Sequence, residues 1–264
     1  MHRRTLLAAP FAQNFAPKVV FVTGDDEYRS EYTMPSLAQI LERNYHLKTQ
    51  QGLDALKDAD LMVLFLRWRQ FPEDKLQAIL NYEKSGRPVA GFRTSTHAFK
   101  YPAGHPREGE NDGFPLRVFG AKWTRHHGHL STTKTTKAGD HEILNGVNPD
   151  MTLPSWLYTV NPLQGDCQPI LTGQAINPQN GRDDGPQPVA WVKTDGQRRV
   201  FFTTLGHPGD FRNDDFRRLT INGLLWALNL PIPKTGANAA FPAPYNPPRS
   251  GATEDLKMTP FKPE

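Results

Sequence analysis

One cysteine, Cys167, stands in the 264 residues. A single thiol makes no internal disulfide and cannot build a cysteine zinc site. No run of about 18 apolar residues occurs, so no membrane-spanning helix is expected. Positive charge is not concentrated either. The 31 Lys and Arg are interleaved with 27 Asp and Glu, for a net charge of +4. A nucleic-acid surface would need a clustered basic stripe. Glycine loops that cradle phosphates are missing: the first apolar stretch runs into Gly24-Asp25-Asp26-Glu27 instead. Carboxylates there would repel a pyrophosphate, so no nucleotide cofactor is expected. No G-x-S-x-G nucleophile elbow is present. Cys167 lies in a turn before a strand and reads as structural.

What is present is ordinary globular chemistry, with 37% apolar and 22% charged residues and many loop-forming residues, 24 Pro and 21 Gly. The first 16 residues begin MHRRTLLAAPFA. They read either as a short secretory signal of twin-arginine type, placing the protein in the periplasm or outside the cell, or as the disordered N-terminus of a cytoplasmic protein. Residues 17–230 carry the periodic patterns of a folded domain. Residues 231–264 are proline-rich and read as a tail that lies on the surface or is disordered.

Within the domain, Lys18–Thr23 (KVVFVT), Leu61–Leu66 (LMVLFL) and Pro88–Phe92 (PVAGF) are continuous apolar runs of the kind buried on both faces of a parallel sheet. A shorter strand is expected at Leu47–Gln50. Met34, Leu37, Ala38 and Leu41 recur at helical spacing, and a second helix opens at Pro72 and stops at Gly86. This β-α-β-β-α-β order predicts an α/β domain with a mostly parallel sheet and helices on both faces. The stretch from Tyr101 to Gly185 is expected to be loop-rich, with short strands at Leu130–Thr136, Leu157–Val160 and Ile170–Thr172. Strands at Val189–Val192 and Val200–Thr204 and a helix over Asp214–Leu228 complete the pattern.

Ligands of open α/β sheets bind outside the carboxyl ends of the strands. That rule selects four segments: Gly24–Glu31, with Asp25, Asp26 and Tyr28; Arg67-Trp68-Arg69; Arg93-Thr94-Ser95-Thr96-His97; and Gly206-His207-Pro208-Gly209-Asp210. A cluster of three histidines, His126-His127-Gly128-His129, follows Trp123. In extended backbone alternate side chains share a face, so His127 and His129 would point together and His126 away. Such a pair could ligate zinc, manganese or iron, contact a sugar or relay protons, or be solvated.

Taken in order, VFVTGDDEYRSEYTMPSLAQIL, DLMVLFLRWRQFP, SGRPVAGFRTSTHAF, FGAKWTRHHGH, HEILNGV, RVFFTTLGH and FRRLTINGLLWAL resemble the trehalose-utilisation (ThuA-like) family. The resemblance spans Lys18 to Leu230. It implies a flavodoxin-like fold close to the class I glutamine amidotransferase domain, and a role in sugar metabolism on oxidised (3-keto) glycosides. Where the amidotransferase strand reads P-V-x-G-x-C, this chain has Pro88-Val89-Ala90-Gly91-Phe92-Arg93. Where that domain reads H-P-E, this chain has His207-Pro208-Gly209. Without the thiolate no glutamyl thioester forms, so glutaminase activity is excluded.

The favoured expectation is a carbohydrate-directed enzyme with His207, His97 and Arg93 catalytic. Asp25, Asp26, Tyr28, Arg67, Trp68, Thr94 and His126 would bind substrate, and His127 and His129 would hold a divalent metal if one is used. The alternative is a non-catalytic sugar-binding or scaffold protein. A metal-dependent hydrolase of another small substrate is a third reading. The partner is a small carbohydrate, with no nucleic acid and no membrane span; the oligomeric state is left open.

Overall fold

The structure is a computed structural model that describes residues 16–128, 130–178 and 184–250. Most of the N-terminal segment read as a signal (residues 1–15), His129, and residues 251–264 of the proline-rich tail lie outside the described residues.

Six segments alternate as anticipated: β1 (Lys18–Gly24), α1 (Ser30–Tyr45), β2 (Lys48–Gln51), β3 (Leu61–Leu66), α2 (Glu73–Lys84) and β4 (Val89–Phe92). A third helix, α3 (Glu110–Phe119), follows. Next come β5 (Arg125–His126), β6 (Thr132–Lys137), β7 (Thr152–Leu153), β8 (Tyr158–Thr159), β9 (Cys167–Ile176), β10 (Gln187–Asp195), β11 (Arg198–Thr203) and α4 (Asp214–Ala227). Nine strands form one sheet in the order β2-β1-β3-β4-β11-β10-β9-β6-β7. From β2 to β11 every pairing is parallel. From β11 to β7 the sheet continues antiparallel. This is the flavodoxin-like α/β architecture, extended on one side by hairpins.

The apolar runs explain the parallel half. All six residues of β3 are buried, as a central strand covered on both faces requires. One face packs against α1 and α4 through Met34, Leu37, Leu41, Phe216, Leu219 and Leu224. The other packs against α2 and α3 through Leu76, Ile79, Phe114 and Val118. Gly91 of β4 is required by this packing: a Cβ there would stand 2.6 Å from the rings of Phe119 and Phe202.

Two elements depart from the sequence reading. α1 begins at Ser30, a turn before its first apolar residue, because the Asp25 carboxylate accepts the N–H groups of Glu27, Tyr28 and Ser30 and sets the entry. α3 occupies part of the stretch expected to be loop. Gly113 and Pro115 are poor helix formers, but burial of Phe114, Val118 and Phe119 and a left-handed Gly120 at the C-terminus define it. Among the described residues, no helix is long and apolar enough to cross a membrane.

Candidate functional site

The strands β1, β3, β4 and β11 are mutually parallel, so their carboxyl ends share one sheet edge. The segments that leave those ends carry Tyr28, Arg67-Trp68, Arg93–His97 and His207. The small sheet β5–β8 lies against the same edge and pairs His126 with Tyr158.

Arg93 is at the centre. It takes a positive φ of 43°, the left-handed turn of an elbow, and its side chain is fully buried. Nη1 donates to the carbonyls of Thr204 (2.9 Å) and Trp156 (3.3 Å), and Nη2 donates to Tyr28 Oη (3.0 Å). The guanidinium lies over the rings of Tyr28 (4.1 Å) and Tyr158 (4.4 Å). Stacking and hydrogen bonds to neutral oxygens hold this buried cation. Burial opposes its charge, but the phenol oxygens of Tyr158 and Tyr28 more than offset that, and it stays firmly protonated. The Tyr158 hydroxyl donates to Tyr28 Oη at 3.3 Å. Tyr28 Oη thus accepts from Arg93 and from Tyr158, which leaves its own O–H proton to donate.

His207 flanks this group, its ring 6.4 Å from that of Tyr28. Its loop is built by Asp210. That buried carboxylate accepts the N–H groups of Gly206 (2.8 Å), His207 (3.1 Å) and Ser155 (3.0 Å), and the Ser155 hydroxyl. Gly206 has a φ of 133°, a conformation that favours glycine. His207 Nδ1 accepts the Gly209 N–H at 3.0 Å. The neutral ring therefore carries its proton on Nε2. Burial, then the Arg93 and Arg212 charges, push the His207 pKa down to about 4, so the ring is neutral at pH 7.

His97 lies in an aromatic cage, 4.8 Å from Trp123, 5.5 Å from Trp68 and 5.9 Å from Tyr158. Only 8% of it is exposed, and its Nδ1 has no hydrogen-bond partner among the described residues. Burial, then the Arg67 and Arg93 charges, hold it neutral far below the usual histidine range. The Trp123 indole N–H and the Thr94 hydroxyl are likewise buried without partners. At the rim, Arg67 lies 3.8 Å above the Trp68 ring and pairs with Glu27 at 3.1 Å.

The remaining candidates are placed differently. The Asp25 carboxylate is turned back onto its own loop by three backbone N–H groups and serves the start of α1. Asp26 pairs with Arg69. The His126 ring lies 5.6 Å from that of Trp156, 6.2 Å from Tyr158 and 6.1 Å from Trp123, which puts His126 among the aromatic rings at the strand ends. His127 is buried beside Asp184, 3.4 Å away. His126, not His127, meets the aromatic rings at the strand ends; the expectation that His127 and His129 point together falls on His129, a residue outside the described ones. Among the described residues, no three His, Cys, Asp or Glu side chains come together as a metal shell. The sequence reading did not single out Tyr158, Trp156 or Trp123 as site residues. Glu27 and Asp210 lay in its strand-end segments but were given no role, and the Asp210–Ser155 brace was not anticipated.

Compared with known proteins, residues 18–227 match the ThuA family, described as trehalose utilisation. No curated protein sequence matches significantly. A ThuA-like protein of Bacteroides uniformis has a similar structure, with a TM-score of 0.60 and 14% identity over 83% of this chain and 95% of that one. Another from Parabacteroides merdae gives 0.60 and 15% over 86% and 96%. The β-galactosidase of Rahnella sp. R3 gives 0.53 and 14%, covering 81% of this chain but 32% of that chain. At these identities the likenesses establish fold alone.

Proposed function

Because the chain belongs to the ThuA family of trehalose utilisation, a carbohydrate-related role, we propose that its cleft takes an oxidised (3-keto) glycoside and cleaves it by elimination and hydration. The observation that carries this reading is the Arg93–Tyr28–Tyr158 group beside a neutral His207.

In such a substrate the keto oxygen acidifies the neighbouring C2–H. Tyr28 is buried, and burial keeps its phenol protonated well above the usual range in spite of Arg93; its spare O–H would donate to that keto oxygen as charge develops. His97, neutral and with Nδ1 unpartnered among the described residues, takes the C2 proton in its Nε2–H tautomer. The C1–O bond then breaks, and His207 Nε2–H supplies the proton to the departing glycosidic oxygen. Water adds back across C1–C2, with hydroxyl on C1 and a proton on C2, and the net change is hydrolysis. Trp68, Trp123 and His126 offer flat faces for the sugar rings, and Arg67, Thr94 and Glu27 offer polar contacts at the rim and floor.

The full burial of Arg93 favours one other reading, a sugar-binding protein in which the group only braces the cleft. Turnover separates the two. With 3-keto-trehalose, an NMR time course should show glucose and 3-ketoglucose released by the parent protein and a loss of at least 100-fold in Arg93→Ala/His207→Ala. Unchanged turnover in that double variant refutes the mechanism, and line broadening without product in the parent selects the binding reading.

A further inference from the structure

Residues 231–250 form no helix or strand, yet they are tied down along their length. The Ala237 N–H donates to Asn222 Oδ1 at 2.9 Å, Arg217 Nε donates to the Ala239 carbonyl at 3.0 Å, and Asn44 and Tyr45 both donate to the Asn238 carbonyl. Phe241 and Tyr245 stack at 4.4 Å with a 9° interplanar angle. Tyr245 also packs on Tyr32 at 5.8 Å and Phe211 at 6.4 Å. Its hydroxyl donates to the carbonyl of Pro208, the residue after His207, at 3.0 Å. The Asn246 N–H donates to Tyr32 Oη at 3.2 Å. This path ends with Ser250 Oγ 2.5 Å from His207 Nε2.

The tautomer decides what that last contact does. Gly209 N–H already occupies Nδ1 and aims the ring, so Nε2 carries the proton and donates it to Ser250 Oγ. Ser250 is then not activated as a nucleophile, and His207 does not need it for orientation. Its hydroxyl instead occupies the one ring atom left to meet a ligand oxygen. We infer that residues 231–250 are an internal cap, in which the Ser250 hydroxyl stands where a ligand hydroxyl would stand on His207, and that a ligand reaches His207 only when the end of this strap lifts. The cap itself rests on geometry alone; that the displacing ligand is a sugar rests on the function proposed above.

A strap closed for 90–99% of the time would weaken apparent affinity about 10- to 100-fold. The test uses diethyl pyrocarbonate, which acylates accessible neutral imidazoles, with each histidine followed by peptide mass spectrometry in the full chain. Exposed His105 is the reference and buried His127 reports unfolding. Tyr245→Ala removes the clamp, and Ser250→Ala removes only the capping hydroxyl. His207 should react at least 10-fold faster than in the parent when Tyr245 is replaced, and several-fold faster when Ser250 is, with His105 unchanged and His127 silent. If Tyr245→Ala also exposes His127 it has unfolded, and Ser250→Ala decides. Reaction of His207 in the parent at the His105 rate, or at the parent rate in the deciding variant, overturns the cap. Added 3-keto-trehalose should protect His207 at about 10-fold lower concentration in Tyr245→Ala than in the parent. Faster labelling without any protection by the sugar keeps the cap and overturns the sugar assignment.

Discussion

Replacing Asp210 by alanine should destabilise the protein by about 3–5 kcal/mol. The side chain is fully buried and its two oxygens receive four donors: Ser155 N and Oγ, Gly206 N and His207 N. A hydrogen bond to a charged group contributes about 1.5–3 kcal/mol, and each donor left unpaired in a dry interior costs about 1–3 kcal/mol. Two effects reduce the sum. His207 N keeps a second acceptor in Ser155 Oγ at 3.2 Å. The carboxylate also pays to be buried, as its raised pKa records, with burial the main cause. What is left is the range given, and about 2–4 °C of melting temperature per kcal/mol for domains approaching this size makes it a fall of about 6–20 °C. Asp210→Asn is the sharper companion. It keeps an acceptor for Ser155 N, but one carboxylate oxygen becomes an NH2 group facing the N–H groups of Gly206 and His207. It should therefore recover less than half of the loss. Urea unfolding at pH 7 gives both values, and amide exchange at Gly206 and His207 should quicken in both variants. If both stay within about 1 kcal/mol of the parent, Asp210 does not hold this loop.

Two further outcomes follow from buried groups elsewhere. Asp25 is buried and its pKa is raised from 3.8 to about 6, mainly by desolvation and in spite of three backbone N–H groups. The folded state then binds more protons than the unfolded state between these values, so stability falls as pH rises from about 4 through 6; roughly two pKa units at 1.36 kcal/mol each give about 3 kcal/mol. Urea unfolding at pH 4 and pH 7 should show that drop in the parent relative to Asp25→Asn, and equal changes in the two proteins would contradict it. Gly91→Ala places a methyl 2.6 Å from Phe119 and Phe202, which should cost about 1–3 kcal/mol by overpacking; a calorimetric melting temperature equal to the parent's would show that the two rings yield freely.

The parts of the fold that could be read from the chain are those where burial on both faces leaves no choice of residue. β3 matches the run Leu61–Leu66 residue for residue because every side chain in it is buried. α3 was hidden because its local composition argues against it and tertiary contacts, including the Arg117–Glu83 pair, sustain it. β9 runs ten residues where three were anticipated. Its half-exposed pattern carries little apolar signal, and its length is set by pairing with β10 and β6.

The candidate site divides in the same way. Position at a strand end was enough to find Tyr28, Arg93, His97 and His207, because topology dictates where parallel strands point. It was not enough to find their partners. Tyr158 and Trp156 arrive from β8 and the loop before it, far along the chain, and no local pattern registers a side chain that crosses to another segment. The side of β5 that faces the cleft depends on how that two-stranded sheet docks, which alternation alone leaves open by symmetry.

Arg93 shows how an elbow can keep its backbone while its chemistry changes. The resemblance to the amidotransferase strand puts Arg93 where a cysteine would present its thiol, and the residue still takes a left-handed φ of 43°. Such a conformation costs a non-glycine residue about 1–2 kcal/mol, so surrounding contacts must hold it. They are identifiable: carbonyls from Thr204 and Trp156, and the rings and hydroxyls of Tyr28 and Tyr158. A cysteine is too short to reach any of them. Arginine is long enough to fold away from solvent and spend its donors beneath the cleft. The positive charge then acts through Tyr28, whose oxygen it polarises and whose proton it leaves free. In the reaction proposed above, the group that would meet a substrate oxygen is Tyr28, which leaves β1 two strands from β4, and Arg93 is its support.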